Sequence, residues 1–227
     1  MEQNDAREGQ LERRSLPMRT GISSLTILCL VLTVTPASGT ILYNNGPAGP
    51  DIDAWTINNG YIVSDTFTLI SSSTVNGFDF AAWEFPGDTV LTVDWSITSQ
   101  ENGGTMYGGG TASVTQQFIS VNAYGYWEYE VSATGLNVGL STGTYWLNLQ
   151  NAVTSQGNPV YWDENSGMGC HSQGCPSQAS ESAVGTIPSE SFDITGTSGG
   201  TTPEPSSIIL FGSGILGIVG RLRQKLF

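Results

Sequence analysis

Between residues 40 and 205 the chain has no lysine and no arginine. Its seven basic residues all lie outside that interval: Arg7, Arg13, Arg14 and Arg19 before it, Arg221, Arg223 and Lys225 after it. Sixteen of the twenty acidic residues lie inside, so the interval has a formal charge of −16 and cannot form a Lys or Arg salt bridge. Phosphate recognition rests on cationic side chains, which excludes nucleic acid and anionic lipid as its partners. Neutral glycans, divalent cations and basic proteins remain compatible, and self-repulsion alone favours solubility. Histidine is nearly absent. Serine and cysteine triads need a base that titrates near neutrality, and His171 is the sole candidate; no H-E-x-x-H helix is present. Long apolar runs are also missing: Ser206 to Gly220 offers fifteen residues, four of them glycine, against the ~20 that span a bilayer.

The two ends nonetheless have a clear organisation. Arg13, Arg14 and Arg19 precede the apolar stretch Ile22 to Val34, and Thr35-Pro36-Ala37-Ser38-Gly39 follows with small residues suited to cleavage. This is the three-part layout of a secretory signal, so signal peptidase is an expected partner and the mature chain is expected to start near Thr40. Met18-Arg19-Thr20 would itself open a compact signal, so the start is either Met1 or Met18. Cys29 lies within the apolar run behind Leu28, where a lipidation site needs a small residue. At the other end, Pro203-Glu204-Pro205 precedes the apolar run Ile208 to Val219, and Arg221, Arg223 and Lys225 close it. The positive-inside bias keeps those basic residues cytoplasmic and leaves everything before Pro203 outside. A short, glycine-rich segment of this kind suits transient membrane insertion better than permanent anchoring.

The order Pro-Glu-Pro, short membrane helix and basic terminus resembles the PEP-CTERM sorting signal of Gram-negative bacteria, with Pro203, Glu204, Pro205, Arg221 and Arg223 at the matching positions. The resemblance implies recognition by an exosortase-type membrane enzyme, removal of the tail, and delivery to an outer surface or an exopolysaccharide-rich matrix.

These signals divide the chain into a leader and signal peptide (1–39), a folded domain (40–196), a Gly/Thr/Pro linker carrying the Pro-Glu-Pro motif (197–205) and a sorting helix with its basic tail (206–227). About 160 residues are thus left to fold, a single domain's worth. Leu91, Val93, Trp95 and Ile97 alternate with polar residues, as in a strand with one buried face, and Phe78, Phe80 and Ala82 repeat the pattern ahead of a turn at Pro86-Gly87-Asp88. Further strands are expected over 61–69, 111–121, 126–133, 144–149 and 191–195. Asn76-Gly77, Asn102-Gly103-Gly104, Gly108-Gly109-Gly110 and Ser141-Thr142-Gly143 are expected turns between strands. Many short strands and no helical period predict an all-β fold, an antiparallel β-sandwich with jelly-roll-like connections, flanked by the signal helix and the short transmembrane helix.

Residues 150–189 show little strand pattern and read as one long irregular loop, a feature that is usually functional in a small domain. It contains Cys170 and Cys175, the only cysteines left after export, and an oxidising compartment favours pairing them; so short a ring is worth about 2 kcal/mol. The competing reading, a metal held by both thiolates and His171, is one ligand short of the usual structural zinc site.

Three carboxylates are candidates for chemistry. Glu84 lies between Trp83 and Phe85, and Asp163 and Glu164 follow Trp162. A glycosidase needs two such groups at a set separation, so a secreted carbohydrate-active enzyme is the alternative to a non-catalytic protein. Oxygen donors also crowd Asn44 to Asp53 and Asp163 to Asn165, which makes Asp51, Asp53, Asp163 and Glu164 candidate calcium ligands against a background of ordinary turn capping. Trp162, Tyr107, Tyr124 and Tyr126 are candidate glycan contacts, with Trp162 expected outward and Trp95 inward. Residues 41–195 also look like a group of secreted acidic β-proteins that carry this same tail, on Ile41-Leu42-Tyr43-Asn44-Asn45-Gly46, Phe80-Ala81-Ala82-Trp83 and Tyr161-Trp162-Asp163-Glu164-Asn165. That likeness implies no activity. The expected function is an exported, non-catalytic surface or biofilm-matrix protein able to bind exopolysaccharide.

Overall fold

Alternation of apolar and polar residues becomes twelve strands in the computed structural model, which describes residues 39–49 and 53–199. They are β1 (Thr40–Asn44), β2 (Ala54–Thr56), β3 (Ile62–Leu69), β4 (Ser73–Glu84), β5 (Val90–Gln100), β6 (Gly103–Val121), β7 (Trp127–Leu140), β8 (Gly143–Thr154), β9 (Val160–Asp163), β10 (Ala179–Glu181), β11 (Gly185–Ile187) and β12 (Phe192–Ser198). Among the described residues there is no helix, and so none long and apolar enough to cross a membrane. The expected signal helix and transmembrane helix lie outside the described residues.

Every pairing is antiparallel, in the order β1-β12-β4-β7-β6-β5-β8-β3-β10-β11, with β9 bridging β4 and β2. The all-β, antiparallel expectation holds, and the ladder is continuous and curled. The cause is β6, whose first half pairs with β5 and whose second half pairs with β7. Facing halves close on one core, where Phe78 of β4 meets Trp95 of β5 at 6.2 Å and Tyr43 of β1 meets Phe67 of β3 at 6.3 Å. Val93, Trp95 and Ile97 point inward as their alternation predicts. Leu91 does not, because irregularities in the β5–β8 register on either side of Thr92 reverse the face, leaving Leu91 exposed and Val90 buried.

Two expected turns lie inside strands. Gly108-Gly109-Gly110 is part of β6, where the chain needs close approach and not reversal. A Cβ on Gly108 would sit 2.5 Å from Val138 Cγ2, and one on Gly109 would sit 3.0 Å from the Trp95 carbonyl oxygen. Asn76-Gly77 marks a bulge in β4, with the Gly77 position 2.4 Å from the Ala133 carbonyl oxygen if a Cβ were added. Residues 150–189, expected to be irregular, contain the end of β8 together with β9, β10 and β11. These short strands depend on long-range pairing, Trp162 opposite Ala82 and Ala179 opposite Asp65, and leave little periodicity of their own.

Candidate functional site

Along β4 the inward series Phe78, Phe80 and Ala82 belongs to the core, while Asp79, Ala81 and Trp83 take the opposite face. Two features meet on that outer face. At the far end of β4, Trp83 is directly opposite Tyr161 of β9, and the β6–β7 connection brings in Tyr124 and Tyr126. The Trp83 ring centroid lies 5.6 Å from that of Tyr124 and 6.0 Å from that of Tyr126, the latter nearly parallel at 25°. Tyr126 meets Tyr161 edge-on at 5.5 Å. With Asp53 and Ala54 these four rings line an open cleft of about 390 Å³. Tyr124 is 63 % exposed and Trp83 only 5 %, and the buried Trp83 Nε1 has no hydrogen-bond partner among the described residues.

Nearer the start of β4, Asp193 of β12 is directly opposite Asp79, and Glu130 of β7 is opposite Ala81. These three carboxylates and His171 line a second cleft of about 580 Å³, with Ile41, Pro47 and Ile119 among its apolar walls. Like charges directly opposed across a ladder are destabilising. Burial first, and then the Asp79 and Glu130 charges, push the Asp193 carboxyl up to about 6 despite a 2.5 Å hydrogen bond donated by Asn44 Nδ2.

Behind this face is a buried polar knot. The described parts of the two oxygen-rich segments read separately in the sequence, 44–49 with Asp53 and 163–165, come together there with Asp65 and Glu190. The Asp53 carbonyl accepts the Glu164 N–H at 3.1 Å, Glu164 bridges to Glu190, and Asp65 Oδ2 accepts the Glu190 N–H at 2.7 Å. Glu190 is 0 % exposed and, among the described residues, neither carboxylate oxygen has a hydrogen-bond partner. Burial, reinforced by Asp65, Glu164, Asp163 and Asp53, holds its carboxyl well above the usual range. Burial likewise lifts Asp65 to about 7, although Ser177 and the N–H groups of Glu190 and Thr66 favour its charged form.

The proposed calcium ligands are placed as follows. Asp51 lies outside the described residues, and Asp53 is exposed. Asp163 and Glu164 are buried; Asp163 Oδ2 accepts the Gly49 N–H at 2.8 Å and Glu164 Oε1 accepts the Ser166 hydroxyl at 3.1 Å. Among the described residues no three His, Cys, Asp or Glu side chains are arranged to hold a metal ion. The contacts made by Asp163 and Glu164 are those of loop fasteners.

Of the expected glycan contacts, Tyr124 and Tyr126 share the aromatic cleft, whereas exposed Tyr107 sits on β6 against Tyr145, away from it. Trp162 is corrected from an outward contact to a core residue. It is 0 % exposed, packed edge-on against Phe80 and Phe192, and its Nε1 donates to the Ser191 carbonyl at 2.8 Å. Sequence reasoning passed over Tyr161, which the β4–β9 pairing places beside Trp83. The candidate catalytic carboxylates are all buried. Glu84, pushed up to about 7 by burial and by Asp88, faces inward beside Gln116. Cys170 and Cys175 form the expected disulfide, which removes the thiolates from any metal site.

Pro203, Glu204, Pro205, Arg221 and Arg223 lie outside the described residues, but residues 201–224 match the PEP-CTERM protein-sorting motif. The chain therefore carries a PEP-CTERM sorting motif, and the motif implies an exported protein that is sorted to the cell envelope and processed by an exosortase. No curated protein matches the chain.

Proposed function

We propose that this PEP-CTERM protein is a non-catalytic component of the outer surface or exopolysaccharide matrix of a Gram-negative bacterium. Signal peptidase removes its leader, and its tail resides briefly in the inner membrane before an exosortase-type enzyme removes it. The matched sorting motif at residues 201–224 carries the reading. Three further observations support it. The interval 40–205 has no lysine or arginine and needs no membrane or nucleic-acid partner. The candidate catalytic carboxylates Glu84, Asp163 and Glu164 are sealed from solvent, where a substrate does not reach them. The strand pairs β5–β6, β4–β7 and β3–β8 are nested, which supports a jelly-roll-like winding, an architecture that includes lectin domains; this last support is fold-level analogy.

In this reading the folded domain contacts glycan through the aromatic cleft of Trp83, Tyr124, Tyr126 and Tyr161. Asp53 at the cleft rim contributes a polar group. Replacing Pro203, Glu204 and Pro205 together by alanine should leave the protein uncleaved and held with the inner membrane, as read by cell fractionation and immunoblotting. Delivery of the altered protein to the surface at the unaltered level, with normal shortening, would overturn the reading.

A further inference from the structure

We propose that the outer face of β4 is a two-part track for a polysaccharide bearing free amino groups, with one ammonium at the aromatic cleft and another at the Asp79, Glu130 and Asp193 carboxylates. This rests on the glycan-contact part of the function proposed above and specifies the chemistry of the sugar.

The cleft has the composition that recognises an organic cation. Four aromatic rings converge on it, and a cation within reach of their faces is attracted by the ring quadrupoles. Asp53 adds a formal negative charge at the same cleft. The exposed ring of Tyr124 and the half-buried rings of Tyr126 and Tyr161 also offer flat surfaces to the apolar faces of sugar rings.

The second part of the track lies on the same face. Asp79 and Trp83 are four residues apart on one strand, about 13 Å at the usual strand rise. Asp79, Asp193 and Glu130 converge where the domain has no lysine or arginine to offset them. A ligand with a single ammonium would satisfy only one part, whereas a polymer with repeated ammoniums satisfies both. A basic peptide shares the charge but lacks a docking mode here. Peptides commonly bind by adding a strand to a sheet edge, and β4 is interior, paired with β7 on one side and with β12 and β9 on the other. A sugar chain needs only ring faces, hydroxyls and charges.

The test is calorimetric titration of the processed protein, purified from the producing cells, with matched oligomers of glucosamine and N-acetylglucosamine at a pH of about 6, below ordinary amine pKa values. The glucosamine oligomer is expected to bind about tenfold more tightly or better. Tyr124→Ala, at an exposed position, should remove most of that preference. The Asp79→Asn and Asp193→Asn pair should weaken long glucosamine oligomers while leaving the disaccharide unchanged. Equal affinity for the two oligomers, or a Tyr124→Ala protein with unaltered binding, would overturn the proposal. Oligolysine binding as tightly as the glucosamine oligomer would overturn it in favour of a basic peptide. These outcomes are separable from failure of the sorting reading, which is decided by tail processing and not by glycan affinity.

Discussion

Trp162→Ala is expected to lower the melting temperature by about 6–20 °C, corresponding to the 3–5 kcal/mol typical of truncating a buried Trp in a domain of this size. Trp162 is among the largest fully buried side chains, and its ring joins β9 to β4 and β12 through Phe80 and Phe192. Alanine would leave a cavity between those rings and would also leave the Ser191 carbonyl without its indole donor. Trp162→Phe separates the two effects, since it retains an aromatic ring and loses only the hydrogen bond and some volume. Its loss should be clearly smaller than that of the alanine variant. Thermal unfolding followed by circular dichroism measures both. A Trp162→Ala protein that melts with the unaltered protein but fails to bind glycan would restore the surface role that the structure denies this residue.

The second large effect concerns pH. Asp65 and Glu190 have carboxyls raised by burial, so the folded state binds protons that the unfolded state releases. The stability they contribute is therefore fully present below the unfolded carboxylate range, near pH 4, and is lost as pH rises through the folded values. For Asp65 the rise from 3.8 to about 7 corresponds to about 4 kcal/mol across that window. Asp88 acts in the opposite direction. Its carboxylate accepts hydrogen bonds from Ser155, Asn158 and the Thr89 and Gln156 N–H groups, which hold its pKa below the usual range, so its contribution is lost in stronger acid. The melting temperature should thus be highest in mild acid and fall toward neutrality.

Glu190→Gln removes a buried carboxyl that has no hydrogen-bond partner among the described residues and supplies N–H donors to a cluster made mostly of acceptors. At pH 7.5 to 8 it should raise the melting temperature by about 4–8 °C, for about 2 kcal/mol, while leaving the acid-side value nearly unchanged. A melting temperature that rises from acid to neutral pH and drops on adding a chelator would instead assign a cation, and not a proton, to the cluster.

Local features of the fold were legible where local sequence determines them. The inward face of β5 follows from the spacing of Val93, Trp95 and Ile97, and the β4–β5 and β7–β8 reversals follow from Pro86-Gly87-Asp88 and Ser141-Thr142-Gly143. The disulfide follows from compartment and cysteine number. Glycine proved ambiguous: Gly108 and Gly77 serve close backbone approach, which in sequence looks the same as a turn. Period-two reasoning assigns residues to faces without saying which face is wet, so Trp162 could not be placed until Ala82 was found opposite it on an interior strand.

The candidate sites depend on still longer connections. Asp65 and Glu190 are 125 residues apart, and nothing local marks Glu190 within Ser189-Glu190-Ser191. Trp83 and Tyr161 become neighbours only through the β4–β9 ladder, and the opposition of Asp79 to Asp193 exists only in the β4–β12 register. Tyr126 could be found as an aromatic residue in a turn-rich segment; the cleft it helps to build could not.

The most direct test of sorting and processing is the intact mass of the protein recovered from the outer surface or surrounding matrix of the producing cells. The account predicts a chain that begins near Thr40 and ends close to Pro205, without the apolar run and without Arg221, Arg223 and Lys225. A surface-derived protein whose mass includes Phe227 would contradict it.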